Sequence, residues 1–286
     1  MKYDIQKISI EDKIYPQQLR TINNPPKYLY CIGNIDLLKQ QGFAVVGTRR
    51  CSSYGRWAAY EVGRQIAECG FVVVSGMAEG IDTRSHQGCI DGGGKTIAVL
   101  GTPIDVCFPK SNRDLYDNLA KNHLIISEYA SGEKTGPWSF PQRNRIISGL
   151  SSAVIVIEGS VKSGSMITAN YALDQGKTIY AVPGNINQPN SMGTNYLIRD
   201  GAIPITSIDE VPNILGINKT KRYRQIEQNC TKTEIDIINY INNEPGISLE
   251  LVAFKLDMDL STLLFLVSAL ELKGYIRREG SYLYLN

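Results

Sequence analysis

Histidine is nearly absent from this 286-residue chain: His86 and His123 are the only two, and neither has an acid or a second ligand at useful spacing. That excludes a legible catalytic triad or histidine metal site, so each is expected to be a satisfied helix residue, with no catalytic residue and no metal. The six cysteines (Cys31, Cys51, Cys69, Cys89, Cys107, Cys230) contain no C-x-x-C pair, which excludes a disulfide scaffold or zinc site and leaves buried free thiols. No stretch of about 18 apolar residues exists, and MKYDIQKISI has no signal-peptide core. A cytoplasmic protein without membrane contact is expected. A surplus of one charge is also missing. With 30 basic against 28 acidic residues the net charge is +2, so any nucleic-acid binding has to come from local clustering of cations.

What is present is a repetition. Five short apolar runs each end in glycine: FAVVG (43–47), VVVSG (72–76), IAVLG (97–101), VIVIEG (154–159) and IYAVPG (179–184). Runs of this length, rich in Val and Ile and separated by helical segments, indicate parallel strands buried on both faces. The fold class is therefore α/β: a Rossmann-like, doubly wound, mostly parallel sheet, with any site at the carboxyl ends of the strands. Helical spacing is clearest from Tyr54 to Cys69, where Ala58, Val62 and Ile66 recur at intervals of four.

Residues 1–42, broken by Pro16 and the Asn23-Asn24-Pro25-Pro26 turn, form an N-terminal arm; 43–215 form the Rossmann-like domain. A linker at 216–232 gathers Lys219, Lys221, Arg222 and Arg224. In 233–286, three helical segments, the third from Ser261 to Lys273, precede two short strands around Glu279-Gly280, the winged-helix pattern.

The loops after the strands carry the chemistry. Gly47-Thr48-Arg49-Arg50-Cys51-Ser52-Ser53 places two guanidiniums and hydroxyls at a helix N-terminus, where anions bind well, unless the arginines are simply solvated. The spacing lacks the dinucleotide fingerprint G-x-G-x-x-G. Gly92-Gly93-Gly94-Lys95-Thr96 imitates a phosphate loop, but Cys89 stands where its first glycine belongs and the segment leads into a strand, so it is a tight turn. Phe140-Pro141-Gln142-Arg143-Asn144-Arg145 sets an aromatic beside guanidiniums, suited to stacking a base while its phosphates are held. The alternative is a helix start whose Phe is core and whose arginines pair with Glu128 or Glu158. Lys162, Ser163, Gly164 and Ser165 open a second helix N-terminus after the fourth run, and Lys110 follows the third. Loops from different strands converge on one sheet edge, which points to a nucleic-acid strand or a nucleotide.

The segments VVGTRRCSSYG, SGMAEGIDTRSH, TIAVLGTPIDVCFPKSNRDLY, FPQRNRIISGLSSAVIVIEGSVKSGSMITANYALDQGK and AVPGNINQPNSMGTNYLIRDGA resemble the DNA-processing protein A (DprA, also called Smf) family over roughly residues 14–208. The resemblance implies a protein that binds single-stranded DNA, protects it and hands it to the RecA recombinase during natural transformation, usually as a homodimer, with no cofactor. Carried over by position, Arg49 and Lys110 match the family's basic residues for the strand. Gly47, Thr48, Arg50, Phe140, Arg143, Asn144, Arg145, Ser163, Gly164 and Ser165 lie in its motif loops, with Lys162 beside them.

Three departures bear on this expectation. Only about a dozen residues precede Ile14-Tyr15-Pro16, where relatives often carry a helical domain, and Glu79 stands where many have arginine. The third helix of the tail is rich in Leu and Val, with Lys273 as its only cation, which suits protein docking or self-association better than duplex reading. The rival function is a nucleotide-hydrolysing enzyme of the LOG type, but its P-G-G-x-G-T signature is absent and Pro183-Gly184-Asn185 stands instead.

Overall fold

All five glycine-ended runs are strands of one sheet in the computed structural model, which describes residues 3–216 and 229–285. Along the chain the strands are β1 (Gln6–Ser9), β2 (Tyr28–Gly33), β3 (Gly42–Val46), β4 (Val72–Ser75), β5 (Lys95–Leu100), β6 (Leu124–Ser127), β7 (Ala153–Val156), β8 (Thr178–Ala181) and β9 (Ile203–Pro204). Their spatial order is β1-β2-β6-β5-β4-β3-β7-β8-β9. From β6 to β9 every pairing is parallel, whereas β1 and β2 are added antiparallel. The chain steps outward from β3 through β4 and β5 to β6, then returns to start the other half at β7. The strand order therefore reverses between β3 and β7, and a crevice opens at the carboxyl ends of such a pair.

Alternation along the strands distributes the core over both faces. Val45, Val73 and Ile155 point to one side, against Ala58, Val62 and Ile66 of α2 (Ser53–Glu68) and Ile81 of α3 (Ile81–Asp91). Val46, Val74, Val99 and Val156 point to the other, against Ile147 of α5 (Ser139–Gly149) and Ala169 of α6 (Gly164–Asp174). Each fully buried Val stabilises by roughly 1.5–3 kcal/mol, which anchors the strand ends from which the loops depart. In sequence α4 (Arg113–Asn122) comes between α3 and α5 and packs Tyr116 and Leu119 against Ile32, Leu100 and Ile125, and α7 (Pro189–Arg199) follows β8. Leu19 of the short helix α1 (Gln17–Arg20) and Ile22, both in the arm, pack into the same core as Val46, and the arm supplies β1 and β2. The glycine run 92–94 is a turn: Gly92 closes α3 and Lys95 opens β5.

The chain divides into two compact units, Met1–Gly216 and Ile217–Asn286. The second has its own core, built by Ile237, Ile238 and Ile241 of the helix Lys232–Asn243, Val252 of Leu249–Lys255, and Leu263, Val267 and Leu270 of Leu260–Leu272. Thr231 and Glu234 form a capping box at its start. Strand β10 (Ile247–Ser248) pairs with β12 (Tyr282–Leu285), which pairs in turn with β11 (Ile276–Glu279), completing a winged helix. The linker cations Lys219, Lys221, Arg222 and Arg224 lie outside the described residues.

Candidate nucleic-acid interface

The β3–α2 loop is held in place by backbone. Thr48 N donates to Glu158 O at 2.7 Å, tying it to the end of β7. A Cβ on Gly47 would stand 2.5 Å from Ile81 Cγ1, so this position has no room for a side chain. Gly80, at φ +83°, passes so close that a Cβ there would lie 2.5 Å from Thr48 O. The buried Glu158 carboxylate accepts from Ser52 N at 2.9 Å and from Ser52 Oγ, while Ser52 Oγ accepts from Gly55 N. Glu158 is thus committed to the N-terminus of α2, where the helix dipole favours a negative charge.

At the reversal of strand order lies a cleft of about 690 Å³. Gly47, Thr48, Arg49 and Arg50 line it from the first loop, Phe140, Arg143 and Asn144 from α5, and Ser163, Gly164 and Ser165 from the start of α6. Ser163 caps α6 by accepting from Ser165 N at 3.3 Å. The N-terminus of this helix opens into the cleft, and helix N-termini are places where anions bind well. Asn144 Nδ2 donates to Gly164 O at 3.1 Å and fixes α5 against that turn.

Two further predicted residues flank the cleft without lining it. Lys110 is exposed at the turn after Phe108 and Pro109, and Lys162 is exposed one residue before the Ser163 cap. None of the ion pairs among the described residues engages Arg49, Arg50, Lys110 or Lys162. The Arg49 guanidinium lies 5.5 Å from the centroid of the Phe140 ring, which packs against Phe108 at 5.3 Å. Cations and aromatic faces therefore meet at one opening, the combination that holds a single strand. Glu79 works against it, held at the rim by Ser111 Oγ at 2.7 Å.

Arg143 differs in kind from Arg49. Its buried Nη1 donates to Gly76 O at 2.8 Å and to Val99 O, and its Nε to Asn144 Oδ1 at 3.2 Å. Burial pulls its pKa down to about 10 against the pull of Asp82, and burial pushes Asp82 up to about 6 against the opposing Arg143. Arg145 is turned away from the cleft altogether. Two residues on a helix are about 200° apart, so when Arg143 faces the strand ends Arg145 faces the arm. It pairs there with Glu128 at 2.6 Å and donates to Asn24 O at 2.9 Å, the structural alternative weighed for this segment. Phe108 and Asn190, which donates to Arg50 O at 2.8 Å, join the cleft unforeseen. Phe108 sits in a loop whose aromatic could equally have been core, and Asn190 belongs to the start of α7, 140 residues from Arg50.

Residues 6–216 match the family model described as DNA recombination-mediator protein A, and residues 231–277 match one described as winged helix-turn-helix DNA-binding. The DNA processing protein DprA of Streptococcus pneumoniae is 45% identical over 203 residues, covering 71% of this chain and 72% of that protein. That of Bacillus subtilis is 42% identical over 208 residues, 72% of this chain and 70% of the relative. The Streptococcus pneumoniae crystal structure superposes with a TM-score of 0.70 at 44% identity, covering 72% of this chain and 73% of that one. DNA processing protein A from Helicobacter pylori, whose structure is described for its single-stranded DNA binding mode, gives 0.68 at 33% identity, covering 75% of this chain and 98% of that one.

Proposed function

This chain belongs to the DNA recombination-mediator protein A family, and on that footing we propose that it binds single-stranded DNA without sequence preference in the cleft between β3 and β7. One observation carries the reading. Arg49, Arg50 and the capped N-terminus of α6 face a common cleft beside Phe140, so phosphate and base are served from the same opening. Phosphate contacts supply affinity and stacking supplies sequence tolerance. Arg49 and Lys110 are the main strand contacts. The protein acts by binding rather than by catalysis: it protects incoming DNA and loads the RecA recombinase in natural transformation, as a cytoplasmic homodimer.

The test is binding of wild type and the Arg49→Ala, Lys110→Ala double variant to single- and double-stranded oligonucleotides across a salt series, with RecA nucleation on a coated strand as second readout. Salt-sensitive preference for single strands that collapses in the folded variant supports the reading. Binding that the variant leaves intact overturns the site.

A further inference from the structure

The chain contains two tryptophans, and both stand in the open: Trp57 is 52% exposed and Trp138 56%. Burying either would have contributed several kcal/mol to the core, so two half-exposed indoles flanking one cleft ask for a ligand. Each is braced by a tyrosine. Tyr54 and Trp57 lie with ring centroids 5.9 Å apart and planes inclined by 32°, and Tyr129 meets Trp138 edge-on at 5.9 Å.

The sheet places these pairs in a row. Trp57 and Tyr54 lie in the first turns of α2, and the Tyr54 hydroxyl reaches Pro183 O, 3.4 Å away, just past the carboxyl end of β8. Tyr129 follows β6, and Ser139, next to Trp138, donates to Gly101 O at the end of β5. Phe108 and Phe140 lie at the cleft between them. Along the carboxyl edge, aromatic faces thus occur at the β6/β5 end, at the cleft and at the β8 end. Arg49, Arg50, Lys110 and Lys162, outside every ion pair among the described residues, supply the cations of the same edge.

We propose that Tyr54–Trp57 and Trp138 are outer stacking platforms on either side of the cleft, making the whole carboxyl edge one track for single-stranded nucleic acid. This rests on the cleft being the strand site. The charge of the edge selects a polyanion, and the free aromatic faces select one whose bases are unpaired, because a duplex keeps its bases inside. From β6 to β8 there are five strand spacings, roughly 24 Å at about 4.8 Å each. That distance accommodates about seven nucleotides at the ~3.4 Å rise of a stacked strand, and fewer if the strand is stretched.

The experiment uses the full chain with one tryptophan at a time: Trp138→Phe reports on Trp57, and Trp57→Phe on Trp138. Each is titrated with oligo(dT) of increasing length while tryptophan emission and the anisotropy of a labelled oligonucleotide are followed together. We expect both indoles to be quenched by long oligonucleotides and neither by trinucleotides. Trp57→Ala and Trp138→Ala should each weaken binding of a 15-mer by roughly 5- to 150-fold, leave trinucleotide affinity unchanged, and leave the thermal unfolding curve in place. If the labelled 15-mer binds in an Arg49-dependent manner while either indole stays silent or its alanine variant binds like wild type, the two-sided track is wrong and the cleft reading stands. If no oligonucleotide binds, both fall.

Discussion

Arg143 and Arg145 stand two residues apart on α5 and face opposite ways, while Arg49, outside every ion pair among the described residues, lies over the Phe140 ring. Their partners separate their roles. Arg143→Ala removes the donor shared by Gly76 O and Val99 O and leaves the Asp82 carboxylate without its buried counter-charge. Breaking such a set costs roughly 3 kcal/mol or more, so the melting temperature should fall by many degrees. Arg143→Lys should not restore it, because an ammonium lacks the guanidinium fork. A melting temperature equal to wild type would show that Arg143 is not needed for the fold. The Arg49→Ala, Lys110→Ala variant should melt like wild type. The slope of log affinity against log salt for a single strand should drop by about 1.4, at ~0.7 per lost phosphate contact. An unchanged slope would remove both residues from the phosphate path.

At the scale of elements, the site depends on how closely two loops pass. Gly80 occupies a left-handed conformation against the carbonyl of Thr48, so Gly80→Ala has to displace the β3–α2 loop or strain the start of α3. The expected outcome is a loss of about 1–3 kcal/mol in urea unfolding together with weaker single-strand binding, although no charge changes. Wild-type affinity in that variant would mean that the loop is not pre-set. In the winged helix, the Leu260–Leu272 helix carries no Lys or Arg, and Lys273, its C-cap, is bonded to Glu234 Oε1 at 2.7 Å. That helix offers solvent Leu260, Phe265 and Leu272 instead. Such a face gives a duplex no cation, and only the short hydroxyls of Ser261, Thr262 and Ser268 stand exposed beside it, with none of the Arg, Lys, Asn or Gln that make bidentate base contacts. Truncation after Gly216 should therefore leave duplex binding at moderate salt unchanged. A large loss on truncation would restore duplex reading to this unit.

Over the whole molecule, the two histidines make stability pH-dependent. Burial pushes His86, bonded through Nδ1 to Thr96 Oγ1 at 2.7 Å, down to about 3, and His123 down to about 4, both below the ordinary 6.5. The unfolded chain then takes up protons before the folded one, so stability present above about 6.5 is lost as pH falls toward 4. Asp82 has the opposite sign: its folded value, about 6, lies above the ordinary 3.8, and its contribution is lost as pH rises through about 6. Among these three groups, two histidines against one aspartate leave about one proton, or roughly 1.4 kcal/mol per pH unit lost on acidification between 6 and 4, and the lowered carboxylates of Glu210, Glu234 and Asp259 add loss of the same sign at the acidic end. His86→Gln should flatten that slope in urea unfolding at several pH values, and a slope that persists would assign it elsewhere. The same contrast of near and far neighbours divides what could be read from the chain. The parallel strands, the helix from Ser53, the false phosphate loop and the anion-ready helix starts at Ser52 and Ser163 follow from residues within a few positions of one another, through backbone sterics, periodicity and capping. The four-residue strand β6 lacks the terminal glycine that marks the others, and β2 is recruited by pairing with β6, far along the chain, with β1 added on its outer edge. Which of two arginines enters the cleft, and that the cleft opens between β3 and β7, depended on contacts such as Arg145 with Asn24 and Thr48 with Glu158, each more than 100 residues apart. Side-chain direction is set by what packs across the sheet, and the linear order of residues does not contain that until the strands have been placed.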